Sequence, residues 1–242
     1  MELSRIFAAN GHRVALVARR EELLHDLAAE FTQSGAKPPI VIVCDLQRKD
    51  ACDVIAAALA SENVDVEFVV NNAGFGLFGE ARELDLSLQL AMVDLNVRLL
   101  TALSLCFSDS LIRHRGGILN VASIAAFLSG PRMAVYYASK AYVLSLTEAL
   151  RGELGSKGVR VTALCPGPVP TGFQSRAGLT PGLDSLILNV SAKDVAKAGY
   201  RGLMANRRLV LPGIGIKMIP FFLRFAPRGM VLAAVERVQR ER

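Results

Sequence analysis

The sequence predicts an α/β protein organised as one doubly wound parallel sheet. Three observations carry that prediction. Short apolar runs of strand length recur without polar alternation, which suits strands buried on both faces. Amphipathic stretches of helical length separate them. No internal repeat or low-complexity linker divides the 242 residues, a length that fits one large domain. The run Arg13–Ala18 is the first strand and Arg20–Phe31 the helix after it. Ile40–Val43 and Lys49–Ala60 repeat the pair, and Val66–Val70 is a third strand ending in Asn71-Asn72-Ala73-Gly74. A long helical pattern covers Leu84–His114 and leads into the strand Gly117–Val121. Arg132–Ser156 is the next helix and Val159–Leu164 the next strand. Pro166–Asn189, rich in Gly, Pro, Ser and Thr, is a loop. A helix opens at Ser191, and Leu209–Leu211 is a last short strand. Ahead of all these, Glu2–Asn10 reads as the rest of a helix stopped by Gly11. Residues 1–212 thus form the sheet domain, and 213–242 a basic, amphipathic C-terminal extension near its ligand cleft.

Composition removes several function classes. The chain is 52% hydrophobic and 21% charged, far from disorder. Cys44, Cys52, Cys106 and Cys165 form no CxxC pair and lie in apolar or helical stretches. They read as reduced, buried thiols of a cytoplasmic protein, without a disulfide framework. His12, His25 and His114 are scattered, so no metal site is expected. The opening Met1–Arg5 has no cationic region followed by an apolar core, so no signal peptide is expected. The net charge of +6 is uneven: residues 1–200 carry 19 basic against 20 acidic side chains, and residues 201–242 carry nine against two. With no Trp and no interleaving of basic and aromatic residues, no nucleic-acid partner is expected.

Sheets of this kind bind ligands at the carboxyl ends of their strands. Ser123, Tyr136 and Lys140 are the strongest chemical cluster there. Tyr136 and Lys140 are four apart in a helical stretch and share one face, although such pairs also arise by chance. An ammonium beside a phenol stabilises the phenolate and lowers its pKa. Ser123, just past the strand Gly117–Val121, is placed to hydrogen-bond the same substrate oxygen.

The ensemble resembles the short-chain dehydrogenase/reductase family. Ser123 stands thirteen residues before Tyr136 in Tyr136-Tyr137-Ala138-Ser139-Lys140, a spacing typical of that family. Asn71-Asn72-Ala73-Gly74 is similar to its NNAG element, Asn96 in Asp94-Leu95-Asn96-Val97 to its catalytic asparagine, and Pro166-Gly167-Pro168-Val169-Pro170-Thr171 to its PG-x-V-x-T segment. Asp45 in Cys44-Asp45-Leu46 matches its adenine-contacting aspartate. The resemblance implies a Rossmann-like fold and interconversion of a carbonyl and a secondary alcohol. It assigns Tyr136 as general acid/base, Lys140 to the nicotinamide ribose and the phenol, Ser123 to the substrate oxygen and Asn96 to a relay water. Asn72, Ala73, Gly74, Pro166, Gly167, Val169 and Thr171 would line the cofactor. A homodimer or homotetramer is the family's habit. A non-catalytic or decayed dinucleotide-binding module is the alternative reading.

The first visible strand ends Val17-Ala18-Arg19-Arg20 with no carboxylate before Glu21. A guanidinium suits a 2′-phosphate, so Arg19, and second Arg20, point to NADP(H) in preference to NAD(H). The family's opening strand and TG-x-x-x-G-x-G turn have no counterpart before Arg13, so a central strand is expected to be missing. Gly74-Phe75-Gly76-Leu77-Phe78-Gly79 matches G-x-G-x-x-G, but lies inside the NNAG element and is rejected as the phosphate turn. The segment from Pro212 to Pro227 is apolar, basic and broken by prolines. It reads as a cover for the cleft, a subunit contact or a peripheral membrane contact, each suited to a lipid- or steroid-like substrate.

Overall fold

The computed structural model describes residues 1–169, 172–177 and 190–240. Thr171 and most of the expected substrate loop lie outside the described residues. The chain runs α1 (Glu2–Ala9), β1 (Ala15–Ala18), α2 (Glu21–Gln33), β2 (Ile40–Val43), α3 (Ala51–Ser61) and β3 (Phe68–Asn71). It continues through α4 (Leu86–Val93), α5 (Leu100–Cys106), α6 (Ser108–Arg113), β4 (Gly117–Val121), α7 (Ala134–Gly155) and β5 (Arg160–Leu164). The last elements are α8 (Gly172–Ala177), α9 (Ala192–Met204), β6 (Leu209–Val210), α10 (Ile214–Leu223) and α11 (Arg228–Arg240).

All strand pairs are parallel, and they form two sheets: β1 with β2, and β3-β4-β5-β6 in order. The expected gap between the first and third visible strands is therefore present. Among the described residues no strand pairs with the second edge of β1 or with the free edge of β3. Helices cover both faces of the larger sheet. Ile118 and Val161 pack with Leu150 and Leu154 of α7. Their strand neighbours Leu119 and Leu164 point the other way, into Leu3 and Phe7 of α1 and Val195 and Leu203 of α9. This period of two puts an apolar side chain on each face, the reason the strands read as continuous apolar runs.

Several expectations need correction. The single long helix over Leu84–His114 is divided into α4, a π-helical turn Asp94–Leu99, α5 and α6. One residue inserted into a helix leaves its apolar pattern almost unchanged, so periodicity does not reveal it. Leu86–Cys106 is long and apolar enough to cross a membrane by length and composition, yet Met92, Leu95, Asn96, Leu99 and Leu100 are buried in the fold. Arg20 caps α2 instead of lying within it. All four thiols are free, but Cys106 is exposed and Cys52 half-buried. The extension folds as two helices, with Pro220 inside the first.

Candidate active site

The carboxyl ends of β3, β4 and β5 converge on one buried polar cluster. β4 ends at Val121, and Ser123 follows in extended backbone as the cap of a 3₁₀ turn, Ile124–Phe127, its hydroxyl accepting from the Ala125 N–H at 3.1 Å. Tyr136 lies in the first turn of α7, which follows Arg132 in the left-handed region (φ 63°) and Met133. The Ser123 hydroxyl lies close enough to the Tyr136 phenol to pull its pKa down. One turn on, Lys140 is buried and donates from Nζ to the Val121 carbonyl at 2.8 Å, with Nζ 5.8 Å from the centre of the Tyr136 ring. The three residues expected to act together are brought together.

Their electrostatics depart from expectation. Burial pushes the Tyr136 phenol up to about 12, against the nearby Ser123 hydroxyl, which pulls it down. Burial pushes the Lys140 ammonium down to about 8. Lys140 loses its charge near 8, well before the phenol titrates near 12, so no ammonium remains to offset the rise of the phenol. The phenol is thus held protonated by desolvation in this state. Cys165, fully buried at the end of β5, is pushed up to about 12 by burial, while the Ser123 backbone N–H and Lys140 pull it down. It is an inert thiol in the wall of the site.

Asn96 sits in the π turn and is 1% exposed. Its Nδ2 donates to the Phe75 carbonyl at 2.9 Å and to Ser139 Oγ at 3.1 Å, and its Oδ1 accepts from the Phe75 N–H at 3.2 Å. The side chain therefore ties the segment after β3 to α7. Here its side chain is engaged with Phe75 and Ser139. Gly74 has a packing reason: a Cβ there would stand 2.9 Å from Asn96 Oδ1 and 3.5 Å from Lys140 Nζ. At Gly76 a Cβ would meet Phe173 at 2.9 Å, and Met133 and Tyr136 at 3.2 Å. These glycines allow close packing of the segment after β3 against Asn96, Lys140 and Tyr136.

Sequence reading missed the support beneath the cluster. Asn71 donates from Nδ2 to Ser104 Oγ at 3.0 Å and to Asn120 Oδ1 at 2.8 Å, and Asn120 donates to Thr147 Oγ1 at 3.0 Å. This buried chain bolts β3 and β4 to α5 and α7. Asn120 interrupts the apolar run Gly117–Val121, and that was its one signal. Gln239 was also missed. It is 2% exposed and donates to Tyr137 Oη at 2.9 Å, beside Tyr136.

The residues fit a nicotinamide dinucleotide at its two ends. Lys140, Tyr136, Asn72, Ala73 and Gly74 could hold one end, with Pro166, Gly167 and Val169 on the loop after β5; the Pro166 carbonyl accepts from Ile124 N at 2.9 Å. At the other end, Arg19 and Asp45 leave the tips of β1 and β2 and face each other at 3.9 Å, both partly exposed. Arg20 is exposed beside them. Between the ends, the described residues hold no glycine-rich turn to receive a pyrophosphate. No group of side chains that could hold a metal ion occurs among the described residues.

Comparison with known proteins gives the same picture. The short chain dehydrogenase family profile matches residues 1–181. Serine 3-dehydrogenase of Agrobacterium fabrum is 33% identical over 206 residues, which cover 81% of this chain and 80% of that protein. An uncharacterized short-chain type dehydrogenase/reductase of Sinorhizobium fredii is 35% identical over 167 residues, 69% of this chain but 30% of that longer protein. A short-chain dehydrogenase from Sphingobium yanoikuyae, solved in complex with NADPH, superposes with a TM-score of 0.82 at 26% identity, covering 95% of this chain and 89% of that one. The profile match over residues 1–181 and the identity with serine 3-dehydrogenase over four-fifths of both chains establish it: the chain belongs to the short-chain dehydrogenase/reductase family.

Proposed function

We propose that the chain is an NADP(H)-dependent oxidoreductase interconverting a carbonyl and a secondary alcohol, with Tyr136 as its general acid/base. The observation that carries this reading is the Ser123–Tyr136–Lys140 cluster, buried at the carboxyl ends of the strands, with Lys140 Nζ 5.8 Å from the centre of the Tyr136 ring. A bound nicotinamide supplies or accepts the hydride. In reduction, the phenol, protonated at neutral pH, gives its proton to the carbonyl oxygen. Ser123 orients that oxygen and stabilises the phenolate left behind. Lys140 holds its ammonium close to the same phenolate. In oxidation the proton moves the opposite way. Arg19 is the residue for the 2′-phosphate of the cofactor, and Asp45 keeps its guanidinium in place.

An apolar substrate fits the wall around Tyr136. Leu77, Met92 and Met133 line a recess beside the phenol, and the Phe173 ring lies 5.3 Å from the Tyr136 ring. Self-association fits the exposed Leu86, Leu90 and Val93, which share one side of α4. The test is to incubate the chain with NADPH and a panel of steroid and long-chain ketones. Loss of NADPH absorbance with formation of the secondary alcohol is expected. Absence of turnover across the panel, in a folded protein that binds NADPH, would leave only the binding-module reading.

A further inference from the structure

The helix α10 is built inside out. Ile216 is its buried anchor, 1% exposed, with Ile219, Pro220 and Leu223 half-buried on the same side. The opposite side carries Met218, Phe221 and Phe222, and Phe225 follows one turn on, at the spacing of a single helical stripe. Such a stripe normally faces a core. Here Phe221, Phe222 and Phe225 are 54%, 61% and 75% exposed. Their rings form a ridge, with centroids 5.7 Å apart for Phe221–Phe222 and 5.5 Å for Phe221–Phe225. Exposed aromatic area of this size marks an interaction surface. Met230 and Leu232 of α11 are exposed too.

The charge around the ridge selects its partner. Between Asp194 and Glu236 the chain has no acidic residue and seven basic ones. Lys217 and Arg224, seven apart on α10, border the stripe on one flank, and Arg228 opens α11; all three are exposed. A second copy of this face would bring more cations to the contact and, between Asp194 and Glu236, no carboxylate to pair with them. An anionic bilayer meets both features: rings sink to the headgroup boundary, and cations hold the phosphates at the rim.

The position of the ridge gives it a purpose. α10 rests on the 3₁₀ turn that Ser123 caps. α11 ends at the site mouth, where Gln239 donates to Tyr137 and its carbonyl accepts from Arg132 Nη1 at 3.3 Å. We propose that α10 and α11 form a membrane-docking surface, in which the Phe221–Phe222–Phe225 ridge inserts into an anionic bilayer rimmed by Lys217, Arg224 and Arg228, and brings the mouth beside Tyr137 to the lipid.

Flotation with vesicles tests this without reading turnover, so its outcome is independent of the redox assignment. The full chain is expected to float with 70:30 phosphatidylcholine:phosphatidylglycerol vesicles and not with phosphatidylcholine alone. Replacing Lys217, Arg224 and Arg228 by Gln should weaken binding about a hundredfold, at about fivefold per cation. Replacing Phe221, Phe222 and Phe225 by Ser should weaken it at least about tenfold. Because the chain has no Trp, Phe225→Trp supplies one reporter even if the triple variant folds poorly. Its emission should shift blue on the anionic vesicles and be quenched by brominated lipid. No flotation at low salt, or an unshifted indole emission from the Phe225→Trp variant, would overturn the proposal. So would a concentration-dependent oligomer that the Phe variants dissolve without any vesicle binding, since a second copy would then be the occupant.

Discussion

Replacing Gly74 by alanine adds one methyl group at the point where the segment after β3 meets the site. The new Cβ would stand 2.9 Å from Asn96 Oδ1 and 3.5 Å from Lys140 Nζ. Asn96 cannot swing aside freely. It is 1% exposed and held by the Phe75 N–H, the Phe75 carbonyl and Ser139. Overpacking of this kind costs about 1–3 kcal/mol, and straining one buried hydrogen bond adds about 1 kcal/mol. The sum, about 2–4 kcal/mol, corresponds to a Tm lower by about 5–15 °C for a domain of this size. Turnover should fall about tenfold to a hundredfold, because Asn96 and Lys140 are displaced from Tyr136. Gly152, in the last turn of α7 with nothing within 4 Å of an added Cβ, is the control. There alanine should stabilise by about 0.5–1 kcal/mol. Calorimetry of the two variants reads both signs. A Gly74→Ala protein with unchanged Tm and turnover would refute the close-packing argument.

Asn120→Ala leaves Asn71 and Thr147 each short of a buried partner; the cost of about 1–3 kcal/mol should appear as a Tm lower by about 3–10 °C, and an unchanged melt would show the network to be dispensable. Lys140 has its folded pKa depressed from 10.5 to about 8, so the unfolded chain binds the extra proton between these values and stability rises with pH across that window. Relative to Lys140→Met, the cofactor-free protein should gain about 3 kcal/mol from pH 8 to pH 10.5, at ~1.4 kcal/mol per pH unit; parallel denaturation curves at both pH values would contradict the burial argument. Arg19→Ala should raise KM for NADPH about tenfold or more and leave KM for NADH near its starting value. Equal effects on the two cofactors would remove Arg19 from the 2′-phosphate.

Much of this was legible in the chain. The strands showed as apolar runs because both faces of the larger sheet are covered, and Ser123, Tyr136 and Lys140 stood out because helical spacing and family order agreed. The separation of β1 and β2 from the larger sheet was legible as well, because residues 1–12 carry neither a strand-length apolar run nor a glycine-rich turn. The π turn that aims Asn96 was not, since a one-residue insertion barely disturbs an apolar pattern. The upward shift of Tyr136 was hidden for another reason: spacing gives the proximity of an ammonium but not the desolvation that outweighs it. Asn71 reads as turn chemistry, yet it is buried and bonded to Ser104 and Asn120. Long-range partners of this kind leave no local pattern. Gln239, more than a hundred residues from Tyr137, is the extreme case.

The most direct test of the account is Tyr136→Phe, compared with the parent chain for both NADPH binding and ketone reduction. The ring and its packing against Phe173 remain, and only the hydroxyl that Ser123 contacts is lost. Turnover should fall by about 10²–10⁴-fold, with the dissociation constant for NADPH within about threefold of the parent value. Undiminished turnover in the variant would contradict the assignment of Tyr136 as the proton donor.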